Sequence, residues 1–314
     1  MEETNEVDRI STLPDPIIHH VFSFLDMQLV VKTSTLSSRW KYLWTSSAYL
    51  NFELPQESDD ADTLLRDDKL TWFLSFVDRA LICHDTFNIH SFRITSESAL
   101  DIGRLLTWLI GVSRRNVKEL YLEIHFDQPF ELPPGVFPSN ITAVTLTDNS
   151  GEAVIHLPQR ICSAPRIKIL KLEYVKLPEG NADGVLDLSC PLLEKLYMLS
   201  CDDSHLKLLT ISAVLLTHLE FAKEYYCDES SCKINICSPN LVSILCFGCG
   251  YLDISVVNLP ALVSADINMS RYDKTDKEVH LKLLVKVLKG VHKARVLKLA
   301  AQNLKVLHYP KSFC

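Results

Sequence analysis

Five cysteines that lie close together in the sequence are the residues best suited to chemistry. They are Cys227, Cys232, Cys237, Cys246 and Cys249, and the last two have the C-x-x-C spacing of many zinc sites. A closed zinc site needs four converging ligands, and thiolates serve well. Whether these thiols converge depends on the elements that carry them.

Enzyme motifs are absent from the sequence. It contains no phosphate-binding glycine loop, no G-x-S-x-G and no H-E-x-x-H, and glycine occurs only nine times. His19 and His20 are adjacent, so on a helix their side chains diverge and do not form a metal pair. We therefore expect a non-enzyme with no catalytic residue, no metal and no cofactor.

Composition indicates a folded protein that works inside the cell. The chain has 314 residues, of which 47% are hydrophobic, and no stretch approaches the ~20 consecutive apolar residues of a membrane-spanning helix. The N-terminus is acidic where a signal peptide would be basic, and the ten cysteines lack the framework of a small secreted domain. We expect reduced thiols and a location in the nucleus or cytosol.

The charge is unevenly distributed. Net charge is −7, yet residues 271–314 hold eleven Lys and Arg against three acids, so the rest is acidic. An acidic protein gains little from counterion release, which argues against a nucleic-acid partner. The residue pattern of this tail predicts a helix with a basic face and an opposite apolar face. The basic residues are Lys282, Lys286, Lys289 and Lys293, and the apolar ones are Leu284, Val287, Leu288 and Val291. Such a helix can bind acidic partners or membranes, but we favour a solvated outer face and expect no membrane partner.

Three short helices are predicted near the N-terminus. The first begins near Asp15, which can cap it, with Pro16 at the first helical position. The second covers 29–34 and the third 37–44. Apolar residues of the first helix occupy nearly its whole circumference, which implies burial on two sides. A unit this small cannot provide that burial alone.

This helical module resembles the F-box. The matching residues are Leu13, Pro14, Ser23, Phe24, Leu25, Leu36, Ser37, Arg39, Trp40, Leu43 and Trp44. The resemblance implies docking on a Skp-type adaptor, and through it on a cullin-RING ubiquitin ligase. The residues expected to bind the adaptor are Leu13, Pro14, Ile17, Ile18, Val21, Phe22, Leu25, Leu36 and Trp40. Pro16 and Asp26 depart from the pattern, which usually has an acidic residue and a proline there. The alternative is that these apolar residues only pack the module onto the following repeats.

From about residue 89 the chain repeats the template L-x-x-L-x-L nine times. The central pairs are Phe92/Ile94, Leu120/Leu122, Val144/Leu146, Leu170/Leu172, Leu196/Met198, Leu219/Phe221, Ile244/Cys246, Ala265/Ile267 and Leu297/Leu299. Successive pairs are 21 to 32 residues apart, which brackets the period of leucine-rich repeats. An earlier pair, Leu50/Phe52, predicts a first strand beside the helical module.

Each L-x-L predicts a short strand with two side chains in the core and the residue between them outside. Stacked strands form a parallel sheet on the concave face of a curved solenoid, and the chain returns through loops and helical turns. A helix with a stripe of Leu70, Phe73, Leu74, Val77 and Leu81 belongs to the first return. This register places Cys246 in the core and both Cys201 and Cys249 at turns, which favours buried structural thiols over zinc.

The predicted fold is therefore α/β, a three-helix F-box followed by a leucine-rich-repeat solenoid. We expect a disordered acidic tail at 1–9, the F-box at 10–55, an acidic linker and amphipathic helix at 56–88, and repeats at 89–314. Outward strand positions favour protein binding, and the predicted target-binding residues are Arg93, Tyr121, Lys171, Tyr197 and Glu220.

The order of modules is similar to plant F-box proteins that carry leucine-rich repeats and a further FBD domain. This domain is expected to be absent, because the sequence stops at Cys314. The resemblance implies a substrate-recognition subunit of a Skp-cullin-F-box (SCF) ubiquitin ligase, whose target one sequence does not identify. The alternatives are a leucine-rich-repeat interaction scaffold without a ligase role, or a truncated, inactive family member.

Overall fold

The computed structural model describes residues 12–54, 63–223, 232–248, 253–257, 259–269, 277–300 and 303. The predicted tail at 1–9, most of the acidic linker, Cys227 and Cys249 lie outside these residues. The chain divides into two compact units, Met1–His125 and Phe126–Cys314.

The first unit begins with short helices, as predicted. Its described elements are α1 (Asp15–Phe22), α2 (Met27–Lys32), α3 (Trp40–Leu43), β1 (Tyr49–Glu53), α4 (Thr63–Cys83), β2 (Ser91–Ala99), α5 (Ile102–Ser113) and β3 (Glu119–His125). The second helix begins earlier than predicted, because the Asp26 carboxylate caps it by accepting from the backbone N–H groups of Gln28 and Leu29 at 2.7 and 3.0 Å. The third is shorter than predicted and continues as a 3₁₀ turn at Trp44–Ser46.

Parallel strands and two helices form the core of this unit. The predicted pair Leu50/Phe52 lies on β1, and Leu50 is in register with Phe92 on β2, which pairs in turn with Leu120 on β3. All of these side chains are buried. On α4, Phe73 and Val77 are buried, while the other three stripe residues are half-buried. The Trp108 indole N–H donates to Asp78 at 2.7 Å and so links α5 to α4.

The second unit consists mainly of short strands. They are β4 (Phe130–Glu131), β5 (Ala143–Asp148), β6 (Ile155–His156), β7 (Ile169–Glu173), β8 (Val175–Lys176), β9 (Val185–Leu188), β10 (Lys195–Leu199), β11 (Leu208–Ile211), β12 (His218–Ala222), β13 (Lys233–Ile236), β14 (Ser243–Phe247), β15 (Asp253–Val256), β16 (Ser264–Asn268) and β17 (Val296–Leu299), with helix α6 (Lys277–Gly290) before the last.

The predicted repeat strands pair in parallel and in register. In this unit the order is β5-β7-β10-β12-β14-β16-β17. Val144, Leu170, Leu196, Leu219, Ile244, Ala265 and Leu297 occupy one row. All are buried except Leu297 on the last strand, which is 47% exposed. The predicted fold class, N-terminal helices followed by leucine-rich repeats with a parallel sheet, is confirmed.

The return segments differ from the prediction of loops and helical turns. They also contain strands, which form the parallel ladders β4-β6-β8 and β9-β11-β13-β15. In the longer ladder Leu186, Leu209, Ile234 and Ile254 are in register and buried. Segments such as V-L-D-L and K-I-N-I have an apolar residue at every second position, which suits a half-buried strand. Stacking of the repeats supplies the partners that such short strands need.

Helix α6 packs against β15 with its apolar side. Leu284, Val287 and Val291 are buried, whereas Lys282 and Lys289 are exposed. Lys286 forms an ion pair with Asp253 on β15. The basic residues therefore lie on an outer face, as we favoured from the sequence. Within the described residues, no helix combines the length and apolar content needed to cross a bilayer.

Candidate partner-binding surfaces

Helix α1 and the turn that follows it carry a stripe of exposed apolar side chains. Ile17, Val21 and Phe24 follow one another at helical spacing, and they are 48%, 40% and 74% exposed. Leu29 on α2 and Leu36 before α3 are also exposed. We call these five residues the α1–α2 apolar surface. Large apolar side chains grouped on a surface are typical of a protein-binding site.

Three residues predicted to bind the adaptor lie elsewhere. Ile18, Phe22 and Trp40 are 0%, 0% and 4% exposed, and the Phe22 and Trp40 rings meet edge to face with centroids 5.8 Å apart. In the chain by itself these three side chains lie in the core, and their contact with the adaptor stays a prediction. They form the core of the helical module, because α1 is apolar on both sides and turns only one of them outward.

The remaining predicted adaptor residues lie at or near the surface. Pro14 is exposed, and its carbonyl oxygen accepts from the N–H groups of Ile17 and Ile18 at 3.0 and 3.2 Å. Leu13 and Leu25 are half-buried. The expected adaptor-binding residues do not include Phe24, Leu29 and Tyr42, which are all exposed. The spacing of seven residues between Ile17 and Phe24 is a signal that could have identified Phe24.

The two departures from the F-box pattern have structural roles here. Asp26 caps α2, because its carboxylate accepts backbone hydrogen bonds that a proline side chain cannot accept. Pro16 lies in the first turn of α1, where a missing N–H breaks no helical hydrogen bond. The predicted cap at Asp15 is wrong, since the cap position is Pro14 and the Asp15 carboxylate instead forms an ion pair with Arg39.

The outward sheet face of the first unit carries two pairs of side chains in close contact. The Arg93 guanidinium lies over the Tyr121 ring at 4.6 Å, as expected for neighbours in register on β2 and β3. The Tyr49 and His90 rings are 5.2 Å apart, and His90 Nε2 is 3.5 Å from a Glu119 carboxylate oxygen. Burial, followed by Glu119, raises the pKa of Tyr121, while Arg93 lowers it. Stacking pre-organises Arg93 and Tyr121, the types of residue that dominate binding energy.

The sheet face of the second unit brings together the other three predicted residues. Lys171, Tyr197 and Glu220 are in register on β7, β10 and β12. Lys171 forms an ion pair with Glu173 at 3.1 Å, and the Tyr197 ring lies 5.1 Å from that of His218. Burial lowers the pKa of His218, so its ring is neutral near pH 7. Sequence reasoning missed His218, because it stands before the repeated pair on its strand.

Most cysteines of the described residues are buried, whereas Cys83 is exposed and Cys237 is half-buried. Cys201 and Cys246 are buried, and burial raises the pKa of each thiol to about 12. Cys232 is also buried, with a pKa raised to about 12 by burial and then by Asp203. Burial therefore keeps these thiols protonated near neutral pH. Across the described part of the chain, His, Cys, Asp and Glu side chains form no group of three or more that could hold a metal ion.

The helical module, together with repeated parallel strands, defines a protein of the F-box class with leucine-rich repeats. The family model of the F-box domain matches residues 10–51. The F-box/LRR-repeat protein At3g58900 of Arabidopsis thaliana is 31% identical over 275 residues, which cover 84% of this chain and 80% of the relative. The chain belongs to the F-box/LRR-repeat family.

Two further relatives from Arabidopsis thaliana match over nearly the whole chain. The F-box/LRR-repeat protein At3g59200 is 28% identical, with 96% of this chain and 61% of the relative covered. The F-box/FBD/LRR-repeat protein At5g22660 is 27% identical, with 97% and 67% covered. The chain thus spans roughly three fifths to two thirds of the length of these relatives.

Proposed function

We propose that this chain is the substrate-recognition subunit of a Skp-cullin-F-box ubiquitin ligase. In this proposal the helical module docks on a Skp-type adaptor, and the outward sheet faces bind a target protein. The observation that carries it is the α1–α2 apolar surface, which lies exposed on a module that matches the F-box domain.

The α1–α2 apolar surface has the chemistry of a docking site. Full burial of one large aliphatic or aromatic side chain contributes about 1.5 to 3 kcal/mol, so half-exposed side chains contribute about 1 kcal/mol each. Ile17, Val21 and Phe24 form the centre, with Leu29 and Leu36 on the neighbouring segments. The buried Phe22–Trp40 pair fixes the position of α1 beneath this surface. A rigid apolar stripe of this kind suits a helical partner.

Catalysis belongs to the partners in this proposal. The sequence carries no recognisable catalytic motif, and the described thiols with raised pKa values are poor candidates for ubiquitin transfer. The contribution of this chain is proximity, because it holds a bound target near a ubiquitin-charged enzyme that the ligase supplies.

The test measures binding of the purified full chain to a purified Skp-type adaptor. Ile17→Asp and Phe24→Asp place a charge on the stripe, and Val214→Asp is the matched control because Val214 is 57% exposed and lies in the second unit. We expect each stripe variant to weaken adaptor binding by about 30-fold or more, since burying an unpaired carboxylate costs at least 2 kcal/mol. The control should bind like the wild type.

The proposal fails if the wild type does not bind the adaptor, or if the stripe variants and the control bind equally well. Circular dichroism of each variant establishes that it is folded. Surface positions were chosen so that loss of binding does not reflect loss of the core. Substitution of Trp40 would not separate the two effects, because its side chain is buried.

A further inference from the structure

Two acidic side chains flank an apolar one on the sheet face of the second unit. Glu220 on β12, Leu245 on β14 and Asp266 on β16 are in register at the outward position of adjacent strands. Neighbouring strands are ~4.8 Å apart, so the two acidic residues stand on strands separated by ~10 Å. All three residues are half-buried. This spacing leaves room for one long side chain between the two carboxylates.

Neither carboxylate is neutralised by a neighbour. Within the described residues, Glu220 and Asp266 take part in no ion pair within 4.0 Å, although Lys298 on β17 is in register with Asp266. Two cations near this part of the face are already paired, Lys171 with Glu173 and the buried Lys223 with Asp203. The negative charge on this part of the face is therefore available to a ligand.

Apolar side chains continue beside the acidic pair. Leu199, Ala222 and Phe247 are in register at the ends of β10, β12 and β14, and each is half-buried. We call the acidic pair, Leu245 and these neighbours the β10–β16 surface. Its members are Leu199, Glu220, Ala222, Leu245, Phe247 and Asp266. The surface therefore combines an unneutralised acidic pair with an apolar strip next to it.

We propose that the β10–β16 surface binds a basic, partly apolar segment of the target protein. A Lys or Arg side chain of the target lies over Leu245, with its aliphatic stem on that residue and its charged head between Glu220 and Asp266. Long basic side chains bury their stems in this way while the head stays near water. An adjacent apolar side chain of the target packs against Leu199 and Phe247. This inference rests on the proposed function, because it takes the sheet face as the target-binding surface.

Charge complementarity decides in favour of a basic segment over an acidic or a purely apolar one. An acidic segment would meet two carboxylates, and like charges placed opposite each other cost free energy. A purely apolar segment would desolvate both carboxylates without a partner, which costs more than the apolar contact contributes. Only a cation together with an apolar neighbour satisfies both halves of the surface.

The test selects binders from a displayed library of random dodecapeptides with the immobilised full chain. The wild type should enrich peptides that carry Lys or Arg next to a large apolar residue. The double variant Glu220→Gln with Asp266→Asn should lose this enrichment, and the affinity of a selected peptide should fall by about tenfold or more. The double variant Glu220→Lys with Asp266→Lys should select acidic peptides instead.

The matched control is the double variant Glu152→Gln with Asp183→Asn. It removes the same charge from two exposed positions of the second unit that lie outside the β10–β16 surface. The control should select the same basic peptides as the wild type. The inference is overturned if the wild type enriches no basic peptide, or if the Glu220 and Asp266 double variant selects the same peptides.

Adaptor binding, measured on the same variants, separates this inference from the proposed function. Adaptor binding with no selection of basic peptides would overturn the inference alone. Selection of basic peptides without adaptor binding would overturn the ligase role and leave the surface assignment standing. All substituted side chains lie at or near the surface, so the variants should fold. Unchanged circular dichroism then shows that a loss of peptide binding does not reflect unfolding.

Discussion

Glycine at position 248 follows β14, where the backbone has a positive φ of 72°. A Cβ atom at Gly248 would clash with the carbonyl oxygen of Lys223, which is main chain and cannot move aside as a flexible side chain would. The N–H of Gly248 donates to Asn268 at 2.9 Å, and that of Lys223 donates to Phe247 at 3.2 Å. The Gly248→Ala substitution should therefore disturb neighbouring repeats together.

Two other glycines separate the contributions to this effect. Gly151 also has a positive φ, 74°, but its added Cβ would meet only a Tyr174 ring atom at 3.9 Å. Gly135 has no atom within 4 Å of an added Cβ, and its φ lies outside the strained range. Gly151→Ala thus reports the backbone strain together with the reduced entropy of the unfolded chain, and Gly135→Ala reports that entropy change by itself.

The expected magnitudes follow from these differences. Gly135→Ala should stabilise the protein by about 0.5 kcal/mol through the unfolded state. Gly151→Ala should destabilise it by about 1 kcal/mol, since left-handed strain outweighs that gain. Gly248→Ala should destabilise it by about 3 to 4 kcal/mol, because two hydrogen bonds worth about 1 kcal/mol each are distorted in addition to the strain.

Hydrogen exchange of the second unit, followed in increasing urea, measures these values. Tryptophan fluorescence serves as the control, because Trp40, Trp44, Trp72 and Trp108 all lie in the first unit. Its transition should not shift in any of the three variants. If Gly248→Ala is no less stable than Gly151→Ala, then the close approach of β14 to Lys223 is not a feature of the folded protein, and the repeat geometry described here is wrong.

Three further predictions concern pH, capping and the core. Burial is the largest cause that lowers the pKa of His84 below 6.5, and Arg115, whose guanidinium lies 3.2 Å from Nδ1 of the ring, also lowers it. As pH falls, the His84 ring therefore binds a proton in the unfolded chain before it does so in the folded chain. The free energy of unfolding should therefore decrease as pH drops below about 6.5, and His84→Gln should flatten this dependence in urea titrations followed by tryptophan fluorescence. Asp26→Ala should destabilise the helical module by about 1 kcal/mol in thermal unfolding, while Asp26→Asn should be nearly neutral. Leu196→Ala should destabilise the second unit by about 2 to 5 kcal/mol, whereas Tyr197→Ala on the outward face should change stability by less than about 1 kcal/mol, as measured by hydrogen exchange.

The repeat strands were predictable because buried and outward-facing positions alternate within each of them. A pair such as Leu170/Leu172 needs only alternation to indicate which side chains are buried, and the parallel register places it beside Val144/Leu146. The return strands were not predicted. A segment as short as Val185–Leu188 becomes a strand only when the following repeat supplies its partner, 20 or more residues further along the chain.

The helical module shows a second limit. Ile17 and Ile18 have the same chemistry and adjacent positions, yet one is exposed and the other buried. The sequence indicates that α1 is apolar on both sides, but only the packing of Trp40 against Phe22 decides which side faces the core. Asp26 was interpreted as a departure from a family pattern, whereas its position before α2 also fits a helix cap.

The acidic half of the β10–β16 surface could be predicted only in part from the sequence. The outward positions of Glu220 and Asp266 follow from the repeat register, but their lack of ion pairs does not. Lys223, three residues after Glu220, pairs with Asp203, 20 residues earlier in the chain, and no local pattern indicates this pair. Such pairs are set by tertiary structure, so charge patterns alone do not identify a free acidic site.

Assembly of the full chain with a purified Skp-type adaptor and the adaptor-binding part of a cullin tests the ligase role most directly. Size-exclusion chromatography with light scattering, at concentrations of about 10 μM, reports which components travel together. The α1–α2 apolar surface predicts one complex that contains a single copy of each component, and no such complex with Ile17→Asp. Elution of the wild-type chain by itself, with adaptor and cullin in a separate peak, would contradict the proposal.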